Sequence, residues 1–191
     1  MELTLKEKNK IFVLYKNFYL SSDFYRRPCF NSKTIKGNKV LFVSQNPGCP
    51  FSRFEIERFN QMKDFGFVKY QKSFNESWAN SLFGKFFFSI CNLVYDGFDK
   101  QASFTNLVKY ITNSNEVPEI SKQDRKVFVG EIEIIRPEIV IYLSKHSFKN
   151  SSDILDCMKI KHYVFNHPAV YTYSFEYANK IASLVKKICL L

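Results

Sequence analysis

Four short runs of apolar, largely β-branched residues alternate with longer segments whose apolar residues recur at helical spacing, and this alternation limits the possible folds most. The runs predict strands at 40–43, 104–108, 138–143 and 162–165. Helical spacing marks segments between them, including about 77–95, and the last stretch from Phe175 to Cys189. Alternating strands and helices are typical of a mainly parallel sheet with helices on both faces. We therefore predict an α/β protein, with three αβα layers around a central, mainly parallel four-stranded sheet.

Capping and proline signals set the other boundaries. Ser121 to Asp124 has the form of a helix N-terminus, and Pro137 predicts that this helix ends at Arg136. A short helix is predicted over 151–158, and an amphipathic helix over about 4–20 precedes the first strand. Because 191 residues with 46% hydrophobic content suffice for one sizeable core, we predict a single domain over the whole chain.

The chain is strongly basic, with 28 Lys and Arg residues against 18 Asp and Glu, a formal net charge of +10. This charge suits a polyanionic partner such as nucleic acid or an anionic membrane surface, although an AT-rich genome gives the same excess of lysine. The sequence contains neither the roughly 20-residue apolar run of a membrane span nor the apolar segment of a signal peptide. We therefore expect no membrane partner and a cytoplasmic location, associated with the nucleoid in a prokaryote.

The five cysteines are widely spaced and form neither a Cys-x-x-Cys pair nor a Cys/His ligand group. This spacing argues against zinc and iron–sulfur sites. It favours reduced thiols, and we predict neither a metal nor another cofactor.

Polar residues interrupt the chain where three of the predicted strands end. Ser44 to Gly48 follow the first strand, Thr105 and Asn106 lie in the second, and Asn166 to Ala169 follow the fourth. Ligands bind at the carboxyl ends of parallel strands, so we expect these stretches to meet at one edge of the sheet. There a Gly/Pro-rich loop can present backbone N–H groups to an anion, and a histidine can donate to accumulating negative charge. Each feature also has an ordinary explanation as a turn, a strand cap or a surface histidine.

Four stretches in this order resemble motifs of the uracil-DNA glycosylase superfamily. Val40 to Gly48, with the core Asn46-Pro47-Gly48, is similar to the first motif of the branch that includes mismatch-specific and single-strand-selective enzymes. Phe104 to Lys109 resembles the Thr-Asn-x-Val-Lys segment of the thermostable iron–sulfur branch, and Glu131 to Ile141 resembles a helix-to-strand passage of the same branch. His167-Pro168-Ala169 is similar to the superfamily's His-Pro-Ser/Ala motif.

The resemblance implies a monofunctional DNA glycosylase that acts as a monomer without a cofactor. Its partner would be DNA containing uracil or another deaminated base, which it would flip out of the duplex and cut off by hydrolysis of the N-glycosidic bond, for base excision repair. The implied catalytic residues are Asn46, which would position water, and His167, which would stabilise the departing base.

The resemblance also implies a base-binding pocket and a DNA-binding turn. Base-binding roles fall to Gln45, Pro47, Gly48, Phe59 and Asn106. The backbone from 45 to 49 would form the pocket floor, Asn106 would read the pyrimidine edge, and a phenylalanine would stack on the base. Phe51 and Phe54 compete for stacking, and the separation of Phe59 from Asn46 favours Phe59. The implied DNA contacts are Pro168, Ala169, Val170 and Tyr171, the last two as candidates for insertion into the duplex.

Two features depart from the family pattern. The four cysteine ligands of the iron–sulfur branch are missing, and Asn46 stands where the most active relatives have Asp or Glu. A neutral amide stabilises a cationic sugar, or accepts a proton, less well than a carboxylate. Slow turnover, altered base choice, and a catalytically weak or inactive DNA- or nucleobase-binding module of the same fold therefore stay open. An unrelated nucleotide-binding α/β protein is a further alternative, although the sequence has no Gly-x-Gly-x-x-Gly or Walker-type loop.

Overall fold

Strands and helices alternate along the chain in the computed structural model, which describes residues 6–7, 10, 13–14, 40–45, 79–95, 98, 102–108, 117 and 119–189. The elements are β1 Val40–Ser44, α1 Leu82–Val94, β2 Ala102–Asn106, α2 Lys122–Ile135, β3 Ile139–Tyr142, α3 Lys145–Cys157, β4 Lys161–Val164, a 3-10 turn Pro168–Tyr171, and α4 Phe175–Cys189.

The four strands form one sheet in the order β2-β1-β3-β4, and every pair of neighbours is parallel. Val40 in β1 lies opposite Ala102 in β2 and Ile139 in β3. All side chains of β1, β2 and β3 are buried, as expected where helices cover both faces of a parallel sheet. The predicted three-layer αβα fold around a four-stranded sheet is thus confirmed.

Successive side chains along a strand point to opposite faces of the sheet, and this alternation divides the core into two layers. Phe42 and Phe104 pack in the layer that contains α1 and α4, which we call the α1/α4 face. Leu41, Val43 and Val140 pack against α2 and α3 on the other side, the α2/α3 face. Parity along each strand therefore assigns every polar residue at a strand end to one face.

Most predicted strand boundaries are off by one or two residues. The second strand is Ala102–Asn106 rather than 104–108, so Leu107 and Val108 are buried beyond its end. Their amides instead donate to the backbone carbonyls of Ser44 and Gln45, both at 2.9 Å. These hydrogen bonds extend the contact between β1 and β2 past the regular ladder.

The predicted start of the helix before β4 was wrong, because α3 begins at Lys145 rather than at Ser151. Ser144 is its N-cap, and the Ser144 side chain accepts a hydrogen bond from the Ser147 amide at 3.3 Å. The buried positions of α3 are Ser147, Ser151 and Leu155. Two serines on the buried face leave little apolar periodicity to detect in the sequence.

Both predicted ends of α2 are confirmed. Ser121 accepts a hydrogen bond from the Asp124 amide at 3.1 Å, and the Asp124 carboxylate accepts one from the Ser121 amide at 2.9 Å, which is a capping box. The helix ends at Arg136, whose φ of 54° is left-handed, directly before Pro137. Arg125 in α2 also contacts Asp153 in α3 at 2.5 Å, so this guanidinium joins two helices.

Leu14, in the N-terminal part of the chain, contacts helix α2. Among the described residues of this part, 6–7, 10 and 13–14 have helical backbone. Leu14 lies against Gly130 in α2, since a Cβ at Gly130 would come within 2.9 Å of Leu14 Cδ2. In the ranges described above, no helix is both long and apolar enough to cross a membrane.

Candidate functional site

Two buried polar residues lie side by side where the central strand β1 and the edge strand β2 end. Ser44 closes β1 and is paired in register with Asn106, the last residue of β2. Each stands two positions beyond a residue of the α1/α4 face, Phe42 and Phe104, and so points to the same face. This corner of the sheet therefore presents a hydroxyl and an amide at one buried edge.

His167 lies beyond the opposite edge strand but returns to the same face. A four-stranded sheet is roughly 14 Å across from first to last strand. The His167 ring nevertheless lies 6.1 Å from the ring of Phe83 in α1, and Phe83 lies 4.9 Å from Phe104 in β2. The chain after β4 therefore bends back over the α1/α4 face, and Phe83 lies between the strand that carries Asn106 and the histidine.

The hydrogen bonding of His167 fixes where its proton lies. Its Nδ1 accepts a hydrogen bond from the Ala169 amide at 3.2 Å. An accepting nitrogen carries no proton, so the neutral ring is protonated on Nε2. Burial lowers the pKa of His167 below its ordinary value of 6.5. At neutral pH, His167 is therefore an uncharged imidazole with a donor at Nε2.

The lowered pKa of His167 predicts a pH dependence of stability. Below its ordinary value of 6.5, the unfolded chain binds the proton more readily than the folded one. The free energy of unfolding should therefore fall as the pH drops below that value. The contribution of His167 to this fall should be absent in His167→Gln. Urea unfolding between about pH 5 and 8 measures it, with an NMR titration of the ring. A histidine pKa at or above 6.5 for this ring would contradict it.

Gln45 points to the α2/α3 face, away from Asn106 and His167. Its side-chain oxygen accepts a hydrogen bond from the Ser144 hydroxyl at 3.2 Å. Ser147 Oγ in α3 donates to the Ser44 carbonyl at 3.1 Å. These contacts fix the backbone that leads into Asn46, but they do not bring the Gln45 side chain together with Asn106.

The strand end that carries Asn106 is tied to α2. Thr105 faces α2, and its hydroxyl donates to Glu131 Oε1 at 2.9 Å. Both residues are buried. Thr105 and Asn106 point to opposite faces of the sheet. The buried hydrogen bond of Thr105 therefore limits rotation of the strand end that carries Asn106.

Thr105→Val should destabilise the protein by about 1–3 kcal/mol, because it leaves the buried Glu131 oxygen without this donor at nearly constant volume. The midpoint of urea unfolding measures the loss. Ser183→Ala, at an exposed position of α4, also removes a hydroxyl and should stay within about 0.5 kcal/mol of the original protein. Equal effects of the two substitutions would contradict the importance of the buried contact.

The predicted DNA-binding residues form the 3-10 turn that follows His167. Ala169, Val170 and Tyr171 are exposed, whereas Pro168 is buried. Tyr171 is held in place, since its hydroxyl accepts from Asn166 Nδ2 at 2.9 Å. Three of the four residues are thus placed at the surface, next to the histidine.

Comparison with known families identifies the superfamily to which this arrangement of strands belongs. A profile of the uracil DNA glycosylase superfamily matches residues 32–186. The chain belongs to this superfamily. The match spans all four strands and includes both Asn106 and His167, and it confirms the superfamily predicted from the motifs. None of the curated proteins compared with the chain is similar enough to count as a match.

Several residues that the superfamily motifs point to lie outside the described part of the chain. They are Asn46, Pro47, Gly48 and the competing phenylalanines Phe51, Phe54 and Phe59. Their roles stay predictions, as does the branch of the superfamily to which the chain is most similar.

The structure adds Phe83, which the sequence had not singled out, and gives Ser44, so far only the first residue of the polar stretch 44–48, a specific place. Phe86 and Phe87 are buried in the core, whereas Phe83 is only partly buried and contacts His167. The Ser44 hydroxyl is buried and has no hydrogen-bond partner among the described residues. A serine that closes an apolar strand was a usable signal for Ser44. Phe83 follows the helical spacing of its core neighbours, so periodicity alone could not separate it from them.

Proposed function

We propose that this protein is a monofunctional DNA glycosylase, which hydrolyses the N-glycosidic bond of uracil, or of a related deaminated base, in DNA. Membership of the uracil DNA glycosylase superfamily supports glycosylase chemistry. The observation that carries the proposal is the position and protonation of His167, a neutral donor on the face that Asn106 also faces. The net charge of +10 suits a DNA substrate.

The reaction requires charge stabilisation on both fragments. The bond between the sugar C1′ and the base nitrogen breaks, and its electron pair leaves with the base. Water then bonds to C1′ and loses a proton, and the anionic base takes up a proton, which gives an abasic sugar and the neutral free base. His167 Nε2–H would donate to the negative charge that grows on the base. Asn46 would hold the water on the other side of the bond.

Base choice would depend on Asn106. Its amide offers one acceptor and two donors, which can pair with the N3–H and the O4 of uracil. Cytosine presents the reverse pattern at these positions, so it would leave buried groups unpaired, and such mismatches discriminate strongly. The Ser44 hydroxyl, next to Asn106 in register, adds a second polar group at the same corner.

The proposal is tested with labelled oligonucleotides that contain one uracil, as single strands and as duplexes. Alkali cleaves the abasic sites left by excision, and the products are separated by length. Hypoxanthine and mismatched bases complete the panel. Intact strands at stoichiometric protein, for every base in the panel, would overturn the proposal.

Asn46 favours a second candidate function, a module of the same fold that binds DNA or a nucleobase without cutting it. If the pocket is otherwise competent, Asn46→Asp should raise the rate of uracil excision by at least about tenfold, since a positioned general base contributes roughly 10²–10⁴-fold. Asn179→Asp makes the same exchange at an exposed position of α4 and should leave the rate unchanged. A protein that binds DNA yet stays inert in both variants would support the binding module.

A further inference from the structure

Apolar side chains are concentrated at the surface beside the candidate site. Seven large apolar side chains are exposed among the described residues, and four of them lie at the first residues of α1 and α4 or in the 3-10 turn before α4. They are Leu82, 70% exposed, Val170, 68%, Tyr171, 41%, and Phe175, 67%. We call these four residues the apolar rim. It borders His167, because Phe83, next to Leu82, contacts the histidine ring.

The rim exists because helical faces that are buried elsewhere extend past the edge of the sheet. Phe175 stands three and seven residues before Ala178 and Ala182, which places all three on one face of α4. The two alanines are buried against the core, whereas Phe175 in the first turn is exposed. Packing against the described residues therefore does not account for an aromatic side chain at this position.

Part of the rim is ordered by the fold itself. The Tyr171 ring lies 4.2 Å from the ring of Tyr177, between centroids, and its hydroxyl accepts from Asn166 Nδ2. Tyr177 in turn donates to the Asn166 carbonyl at 2.7 Å. Burial raises the pKa of Tyr177 to about 12, so its hydroxyl keeps the proton that it donates. A ring that is already held loses little conformational freedom when a ligand stacks on it.

We propose that the apolar rim binds unpaired bases next to the excised nucleotide, so that the protein takes its substrate as single-stranded or locally opened DNA. The reference to an excised nucleotide rests on the proposed function, whereas the binding does not. An unpaired strand has flat apolar faces and an anionic backbone, which complement the rim and the net charge of +10. Lys85 and Lys180 are exposed on the same two helices, with Glu176 as the acidic residue of the first turn of α4.

Paired DNA fits this surface less well. Its bases are stacked on one another and offer their faces only at the ends of the duplex. A single wedge can enter between two base pairs, but the rim spans the beginnings of two helices and the turn before α4. Stacking on aromatic side chains accepts any base, so the preference concerns the strand state and not the sequence.

The first test uses the full chain and uracil-free DNA of twelve nucleotides in fluorescence anisotropy. The single strand should bind about tenfold more tightly than the duplex, and a strand of the same length with abasic residues about fivefold more weakly than the normal strand. Equal affinity for normal and abasic strands would overturn the proposal. This test contains no uracil and therefore does not depend on excision. A protein that prefers the single strand here but excises no base in the oligonucleotide assay would overturn the proposed function alone.

Variants locate the binding surface. Phe175→Ser and Leu82→Ser should each weaken single-strand binding by about fivefold or more, with little change for the duplex. Val13→Ser is the matched control, since Val13 is 53% exposed and precedes Leu14, which contacts Gly130 in α2 and none of the rim residues in the described contacts. Equal losses for single strand and duplex, or a loss in the control, would overturn the proposal. So would self-association in sedimentation velocity that Phe175→Ser abolishes without changing DNA binding. If a variant has a lowered melting temperature, the comparison of the normal and the abasic strand with the unsubstituted protein tests the proposal in its place.

Discussion

Replacing His167 by alanine should slow the excision of uracil by about 10²–10³-fold, the usual cost of removing one donor that stabilises a developing anion. The base leaves with a full electron pair, and a neutral Nε2–H offers a hydrogen bond to that charge without first losing a proton. DNA affinity should change little, because the interaction strengthens only as the bond breaks. Single-turnover rates at saturating protein measure the chemical step, and anisotropy measures the affinity.

Two further substitutions separate chemistry from structure at this position. His167 also caps the 3-10 turn through its Nδ1, so His167→Ala removes both roles. His167→Asn keeps a side-chain acceptor that can cap the turn but loses the ring donor. We expect it to stay slow, and a recovered rate would mean that capping alone matters. His162→Gln is the matched control, because His162 lies near Tyr142 and Phe148 on the α2/α3 face.

The sheet could be predicted because its central strands are visible in the sequence as short apolar runs. β1 and β3 are buried on both faces, and such strands must be nearly continuous apolar runs. The start of α3 could not be predicted, since its buried face is made polar by serines with specific partners. Ser147 donates to the Ser44 carbonyl, and Ser151 shares a hydrogen bond with the Tyr142 hydroxyl at 2.9 Å. Helix detection by apolar spacing does not register a face of this kind.

The location of the candidate site at the carboxyl edge of the sheet could be predicted, but the position of His167 within it could not. Parallel topology alone places Asn106 and the residues after β4 at the carboxyl edge of the sheet. The return of His167 toward α1 depends on long-range contacts, namely with Phe83 and through the hydrogen bond from Tyr177 to the Asn166 carbonyl. Neither contact has a signature in local sequence. The opposite directions of Ser44 and Gln45 follow from strand parity once the end of β1 is known.

Asn106→Asp should lower the excision of uracil by at least about 10²-fold, because a site built to hydrogen-bond its substrate strongly rejects a changed partner. The amide can donate to the uracil O4 while it accepts from N3–H. An ionised carboxylate has only acceptors and would face O4 with a second oxygen. Asn106 is 2% exposed, and burial of this kind favours the uncharged acid. In the uncharged fraction the carboxyl proton can lie on either oxygen, so the acid can also pair with the N3 and the amino group of cytosine.

The ratio of uracil to cytosine excision should therefore fall further than the uracil rate itself. Single-turnover assays on strands with one uracil or one cytosine measure the ratio. Asn179→Asp on the exposed side of α4 controls for the added charge, and thermal unfolding of each variant identifies any loss due to a buried acid. An unchanged uracil rate in a folded Asn106→Asp protein would mean that this amide does not touch the base. Selectivity would then have to come from the backbone that follows β1. The polar ends of β1 and β2 would in that case have different roles.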